Sequence, residues 1–336
     1  MKVVQFAPEG FDYASNQITE GLHLLQKGGE IDFFCTSKVI HHGAKLDDLN
    51  TISASDALEK AYDWADVIIC SSGGDYRFKD GESGRCFKDH NLAKRTVFID
   101  GHDSNAFLID PDRVRLYLKR ELRFPEAKLL AWNNVRSFTF GVYDFHITSQ
   151  ESGETPMWGG RDIDVGFVAF GGSNPVRQQC ADVIRENFKN SIVMVDQNCQ
   201  PLPLDEYWKQ MRRCKVIVSV HGAGLDTLRF WEAMGFGSVL CSVDVPGAMV
   251  VRNAPEPMRH ALYFDNFANM VELIRCVVSD NVRWSDMRSA TDKLIRCYHT
   301  TKARARQLIY LFEETRCRKN FSETFMSPSA IRDSKA

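Results

Sequence analysis

KVIVSVHGAGLDTLRFWEAMGFGSVLCS (215–242) is the stretch on which the fold turns. Its first six residues, 215–220, are rich in β-branched side chains and read as a buried strand. His221-Gly222-Ala223-Gly224 follows at once, and apolar residues then recur at helical spacing over 225–234. SVLCS (238–242) reads as a second strand. A strand, a glycine turn, a helix and another strand form a crossover unit, whose strands run parallel beneath the helix. Gly222 and Gly224 let the backbone approach a ligand, and the helix start offers N–H groups to an anion.

The same alternation extends in both directions. Upstream lie a strand at 163–170, a helix at 175–188, a strand at 191–195 and a helix at 204–213; downstream, 270–278 and 284–315 read as helical. The first half repeats the scheme, with strands at 2–6, 31–35, 66–70 and 96–100 and helices at 16–26 and 54–62. SQESGETPMWGGRD (149–162), polar and glycine-rich, reads as the linker. The expected class is α/β, with two doubly wound, Rossmann-like domains facing a cleft. Their expected bounds are 1–150 and 160–300, followed by a helix over 301–320 that crosses back to the first domain and a polar tail over 321–336. In such sheets ligands bind beyond the carboxyl ends of the strands.

Composition narrows the function. The 336 residues are 44% hydrophobic and 26% charged, as expected of an ordinary soluble domain. Net charge is −2, from 42 basic and 44 acidic residues, which gives no reason to expect wholesale wrapping of nucleic acid but leaves room for a local basic groove. No apolar run approaches the ~18 residues of a membrane span, and MKVVQFAPEG is no signal peptide, so a soluble cytoplasmic protein is expected. The ten cysteines form no CxxC pair and read as reduced, buried small hydrophobes. The nine histidines form no HExxH, so neither a protein-bound metal nor a cofactor is expected. GxxxxGK[ST] is missing, which excludes a P-loop, and no GxGxxG follows the first strand, which argues against a Rossmann dehydrogenase.

Individual residues then stand out. Glu232 falls between Leu225 and Leu228 on the helix face turned to the sheet, where a carboxylate needs strong donors. Two readings stay open: a surface ion pair with Arg229, or a carboxylate that accepts two ribose hydroxyls. Gly171-Gly172-Ser173 ends a strand, and Arg177 lies in the first turn of the next helix; backbone N–H groups and a cation suit a diphosphate. In FIDGHDSNAF (98–107), Asp100, His102 and Asp103 sit at a carboxyl edge as candidate bases, although Asp103 is equally suited to cap a helix. Asp12, in the loop after the first strand, is a second candidate base. LYLKREL (116–122) supplies Lys119 and Arg120, which either meet phosphate or an acidic acceptor or simply solvate a helix. From Arg283 to Lys319 ten basic residues face four acidic ones, a pattern that reads as a solvated helix face.

The 215–242 segment resembles the nucleotide-sugar-binding half of a GT-B glycosyltransferase. In detail it is similar to the exostosin-like family, whose strand and glycine turn lead into Asp-[Ser/Thr]-x-Arg-[Phe/Tyr]-x-Glu-Ala and a turn of small residues. Asp226, Thr227, Arg229, Phe230, Glu232 and Ala233 match that pattern, followed by Gly235 and Gly237. The strand, glycine loop and Arg177 at 163–177 match the opening of the same domain, and CYHTTKARARQLI (297–309) and the Lys-Arg-Glu of LYLKREL resemble blocks of bacterial and viral members.

The resemblance implies a UDP-sugar donor, with Glu232 on the ribose and Arg177 with Gly171, Gly172 and Ser173 on the diphosphate. His221, Gly222, Gly224, Asp226 and Thr227 are implied at the sugar-phosphate end, with Arg229 also in the donor site. It implies Asn16, Gln17, Lys119 and Arg120 on the acceptor side, and transfer without a metal. Asp110-Pro111-Asp112 and Asp162-Ile163-Asp164 match a metal-binding DxD only by letters. The implied acceptor is a saccharide or, with Arg113, Arg115, Lys119, Arg120, Arg123 and the cations of 283–306 bordering the cleft, a hydroxymethylated base of viral DNA. A nucleotide-sugar epimerase and a non-catalytic nucleotide-sugar-binding protein remain as rival functions.

Overall fold

The computed structural model describes residues 1–8, 12–38, 46–72, 81–104, 106–123, 133–151, 153, 160–169, 174–195 and 202–317. Two parallel sheets account for the strands among these residues. In the first sheet β1 (Lys2–Phe6), β2 (Asp32–Cys35), β3 (Val67–Ser71), β4 (Thr96–Asp100), β5 (Leu116–Lys119) and β6 (Val135–Ser137) lie in the order β2-β1-β3-β4-β5-β6. Val3 pairs with Phe33 on one side and Val67 on the other. Its crossovers include α1 (Tyr13–Lys27), α2 (Ala54–Asp63), α3 (Glu82–Lys88) and α4 (His90–Ala93), and α5 (Asp144–Glu151) follows the sheet.

The second sheet has the order β11-β10-β9-β7-β8, built from β7 (Ile163–Val168), β8 (Ser191–Met194), β9 (Cys214–Ser219), β10 (Val239–Val243) and β11 (Ala261–Phe264). Its helices are α6 (Val176–Asn187), α7 (Leu204–Arg212), α8 (Leu228–Gly235), the short α9 (Val245–Ala248) and α10 (Phe267–Ser279). The chain passes from β7 to β8 in one direction and then returns to place β9 on the other side of β7. The direction of winding therefore reverses between β7 and β9, and crevices open at the carboxyl ends of such a pair.

Three expectations need correction. LYLKREL contributes a strand, not a helix: Leu116, Tyr117, Leu118 and Lys119 of β5 are fully buried. The expected linker begins inside α5, which runs to Glu151, and it ends on a built-in residue. There Arg161 is buried, donating to the carbonyls of Cys214 (2.6 Å) and Phe236 (2.7 Å). The helix expected from 225 starts at Leu228, because Thr227 caps it through Oγ1 to the Phe230 N–H.

α11 (Asn281–Tyr298) and α12 (Thr301–Cys317) carry the chain back, and α12 lies along α1 of the first domain. Contact is close because Gly21 has no side chain: a Cβ there would overlap the Thr301 carbonyl and stand 2.8 Å from the Ala305 Cβ. Ile18 and Leu22 of α1 and Leu308 and Leu311 of α12 are fully buried, each stabilising the fold by about 1.5–3 kcal/mol. Among the described residues no helix is long and apolar enough to cross a membrane. Cys35, Cys70, Cys86, Cys180, Cys214 and Cys241 are buried and unbridged, whereas Cys276 and Cys297 are exposed.

Candidate functional site

A cleft of about 370 Å³ opens where β7 and β9 end. Val168 and Ala169 line it at the end of β7, Ser219 and Val220 at the end of β9, and the turn 222–224 with the first turns of α8 closes one side. Tyr13, Asp103, Arg120 and Phe140 reach it from the first domain, so the space lies between the two sheets.

Glu232 stands on the cleft wall and is 4% exposed. Its Oε2 accepts the Tyr207 hydroxyl at 2.8 Å and Arg229 Nη1 at 3.2 Å. The ion pair with Arg229 is therefore real, but it is inside the protein rather than on the surface. Arg229 also lies over the Tyr207 ring, 4.5 Å from its centre. Burial lowers the Arg229 pKa, and burial together with the nearby Arg229 charge lowers that of Arg177. Two guanidiniums are thus held close together at the price of some repulsion, the electrostatic condition of an anion site. Arg177 donates from Nε to the His221 carbonyl at 2.9 Å. The missing side chain of Gly222 makes room for this guanidinium, since a Cβ there would stand 2.8 Å from Arg177 Nη2 and push it aside. Across the cleft, the Tyr13 pKa is raised by burial and by the negative charge of Glu232.

The first-domain wall is a clasp. Arg120 is buried; it donates from Nε to the Gly101 carbonyl (2.9 Å) and from Nη1 to the Asp226 carbonyl (2.6 Å), pairs with Asp103, and stacks on Phe140. Glu121, fully buried, accepts the Asp226 N–H at 3.0 Å through Oε1 and Arg123 Nη2 at 2.6 Å through Oε2. Asp226 answers from the second domain: Oδ2 accepts the Phe140 N–H and Oδ1 the Trp231 indole N–H, both at 2.8 Å. Burial raises its pKa, and these donors with the Arg120 charge oppose that rise. A Cβ on Gly224 would overlap Glu121 Oε1 and stand 2.7 Å from Asp103 Oδ1, which is why this turn position carries glycine.

The residues singled out from the sequence separate accordingly. Arg177, Gly222, Gly224, Asp226, Thr227, Arg229, Glu232, Asp103 and Arg120 line the cleft, and His221 sits beside it, its pKa lowered by burial. Asp226 and Thr227 spend their side chains on structure, Thr227 as the α8 cap. Gly171, Gly172 and Ser173 lie outside the described residues. Asp100 and Lys119 do not reach the cleft: they form a fully buried 3.0 Å ion pair on neighbouring strands, and Tyr117 also donates to Asp100. Asp12 caps α1 by accepting the Ser15 N–H, and His102 turns Nδ1 to Ser104, 3.3 Å away. Asn16 is buried, and Gln17 brackets Gly141, accepting its N–H (2.8 Å) and donating to its carbonyl (2.7 Å). None of these last four lines the cleft.

Sequence reading missed Tyr13, Phe140 and Tyr207, which come from separate elements and carry no local motif, and it gave Glu121, the last residue of the Lys-Arg-Glu block, no role. The His-Thr-Thr block lies at the junction of α11 and α12 and does not line the cleft. His299 is buried, its Nε2 2.8 Å from the Asn253 carbonyl and its Nδ1 3.0 Å from Arg304 Nη2. Since Arg304 only donates, Nδ1 accepts and Nε2 carries the proton, consistent with a pKa pushed well down by burial.

Two parallel, helix-covered sheets with a cleft at their carboxyl ends define the GT-B fold. Residues 173–310 match the family model described as glycosyl transferase-like. No curated protein sequence matches the chain. Among solved structures, the chain is similar to an alpha-glucosyltransferase in complex with UDP and a 13-mer DNA containing a HMU base. That match has a TM-score of 0.64 at 10% identity, over 93% of this chain and 99% of the other. A glycosyltransferase from Rickettsia africae ESF-5 aligns with a TM-score of 0.59 at 9% identity, over 94% of this chain and 99% of that one. Sucrose-phosphate synthase from Thermosynechococcus elongatus aligns with a TM-score of 0.53 at 13% identity, over 93% and 98%.

Proposed function

We propose that the protein is a glycosyltransferase that takes a nucleotide-diphosphate sugar, in the first instance a UDP-sugar, and passes the sugar to an acceptor hydroxyl. The carrying observation is the buried Glu232 beside Arg229 and Arg177 where β7 and β9 diverge. A nucleoside diphosphate has the complementary pattern, a ribose diol adjoining two phosphates. In this reading Glu232 accepts the ribose hydroxyls and the two guanidiniums face the diphosphate. The match of residues 173–310 to the glycosyl transferase-like model and the UDP held by a structural neighbour support it. The Asp226–Ala233 pattern, which resembles that of the exostosin-like glycosyltransferases, supports the same reading.

The transfer breaks the bond between the anomeric carbon and the diphosphate oxygen and forms one to the acceptor oxygen. The acceptor proton must go to a base, and Asp103 is the one of the four candidates that lines the cleft. Charge developing on the leaving diphosphate is met by Arg177 and Arg229, so the reading requires no metal. A saccharide is the acceptor this reading favours. DNA is the second reading, prompted by the neighbour bound to DNA. Its cation patch is weakened here: Arg115, Lys119 and Arg120 are buried, and Arg123 is paired with Glu121.

Mass spectrometry after incubation with UDP-sugars and an acceptor panel, hydroxymethyl-base DNA included, tests the reading. A hexose-sized gain on a saccharide, retained in EDTA, is expected. A gain on DNA alone moves the acceptor to DNA. Loss in EDTA restored by Mn²⁺ removes metal independence, and an isomerised sugar from donor alone makes the protein an epimerase. Nucleotide binding with no transfer to any acceptor leaves a binding protein.

A further inference from the structure

Tyr207 belongs to α7, 25 positions before Glu232 in the chain, and no motif marks it. It is buried, lines the cleft, and touches both groups on which the donor reading rests. The hydroxyl donates to Glu232 Oε2 at 2.8 Å, while the ring face carries the Arg229 guanidinium 4.5 Å from its centre. Arg229 Nη1 meets the same Oε2 at 3.2 Å, so phenol, guanidinium and carboxylate form a closed triangle. The edge of the ring is fixed in turn against Phe236, with centroids 6.3 Å apart and planes at 74°.

We infer that Tyr207 is a positioning residue for the donor site, setting the carboxylate through its hydroxyl and the guanidinium through its ring. The inference rests on the reading of Glu232 as the ribose acceptor and adds a division of labour to it. The hydroxyl controls discrimination at the ribose, because it fixes the rotamer from which Glu232 meets a vicinal diol. The ring controls affinity for the diphosphate, because it holds Arg229 flat and partly desolvated in the cleft wall. A tyrosine present only to fill space would show neither effect separately.

Two substitutions separate the functions. Tyr207→Phe keeps the ring and removes the hydroxyl, whereas Tyr207→Leu removes both. Calorimetry with UDP, 2′-deoxy-UDP and inorganic diphosphate, alongside thermal unfolding, reads each arm. The wild type should prefer UDP to its 2′-deoxy analogue by about tenfold, the size of one hydrogen bond to a charged group. In Tyr207→Phe that preference should fall to about twofold or less, with diphosphate affinity unchanged and the thermal midpoint somewhat lowered by the lost hydrogen bond. Tyr207→Leu should lose diphosphate affinity as well. A Tyr207→Phe protein as selective as wild type overturns the inference while leaving the donor reading intact. A wild type that does not distinguish the two nucleotides removes the ribose role of Glu232, and the inference with it.

Discussion

At the scale of single residues, the cleft is governed by where charge is left after internal pairing. Glu232 is the carboxylate set between Tyr207 and Arg229, and its truncation removes both an acceptor and a counter-charge. Glu232→Ala should therefore weaken UDP binding by about 2–4 kcal/mol, measured by calorimetry. Unchanged affinity would take Glu232 out of the site. Gly224 makes a different point. Its missing Cβ is what lets Glu121 and Asp103 close over the turn, so Gly224→Ala forces a buried carboxylate to move. The expected cost is about 1–3 kcal/mol of stability in urea titration, with a larger loss of UDP affinity than a remote surface variant shows.

At the scale of elements, the junction of α1, α5 and α12 carries a proton. Thr301 Oγ1 lies within hydrogen-bond reach of Glu20 Oε2 and 2.7 Å from Asp144 Oδ2. One hydroxyl hydrogen cannot serve both oxygens, so a carboxyl must hold another. Burial raises the Glu20 pKa to about 8, which makes it the protonated partner at neutral pH. An acid whose pKa is higher folded than unfolded binds its proton in the native state first. Stability should then fall as pH rises from about 4.3, the unfolded value, to about 8, and level off above. Glu20→Gln keeps a donor and an acceptor without the charge. Its thermal midpoint should match wild type near pH 5 and exceed it near pH 8.5; parallel curves would contradict the assignment.

These same elements show what a sequence can and cannot disclose. Strands such as Lys2–Phe6 and Thr96–Asp100 and the unit around α8 are legible because local periodicity and local turns dictate them. Leu116–Lys119 misleads because charge in LYLKREL suggests solvent, whereas Lys119 is neutralised by Asp100 from the next strand. Val135–Ser137 is too short to show a period at all. Within the site, Arg177 and Glu232 are legible from the turns that carry them. Tyr13, Phe140 and Tyr207 meet only after folding, and Asp12 and Asn16 look functional because polar residues at a helix start serve caps and sites alike.

For the whole molecule, the decisive region is the crossing segment 138–143. Gln17 holds Gly141 by both backbone groups, Asp226 takes the Phe140 N–H, and Arg304 donates to the Phe140 carbonyl at 3.0 Å. Val142 pairs with His299 and Thr301 through its N–H (2.7 Å) and carbonyl (2.8 Å). Both sheets and the returning helix are therefore fastened to one strip of backbone, which fixes how the two walls of the cleft face each other. Asp226→Asn tests that coupling. Both carboxylate oxygens accept N–H donors, so an amide nitrogen must oppose one of them, and the buried Arg120 loses a nearby negative charge. The expected loss is about 3 kcal/mol, concentrated in the interface rather than in either sheet. Wild type should then unfold in urea as one transition seen by circular dichroism and tryptophan fluorescence together. Asp226→Asn should split into two, with tryptophan fluorescence leading, because the Trp231 ring lies against His299 and Arg304 of the returning segment and loses these neighbours when the domains part. A single shifted transition would mean that the domains are joined by more than this strip.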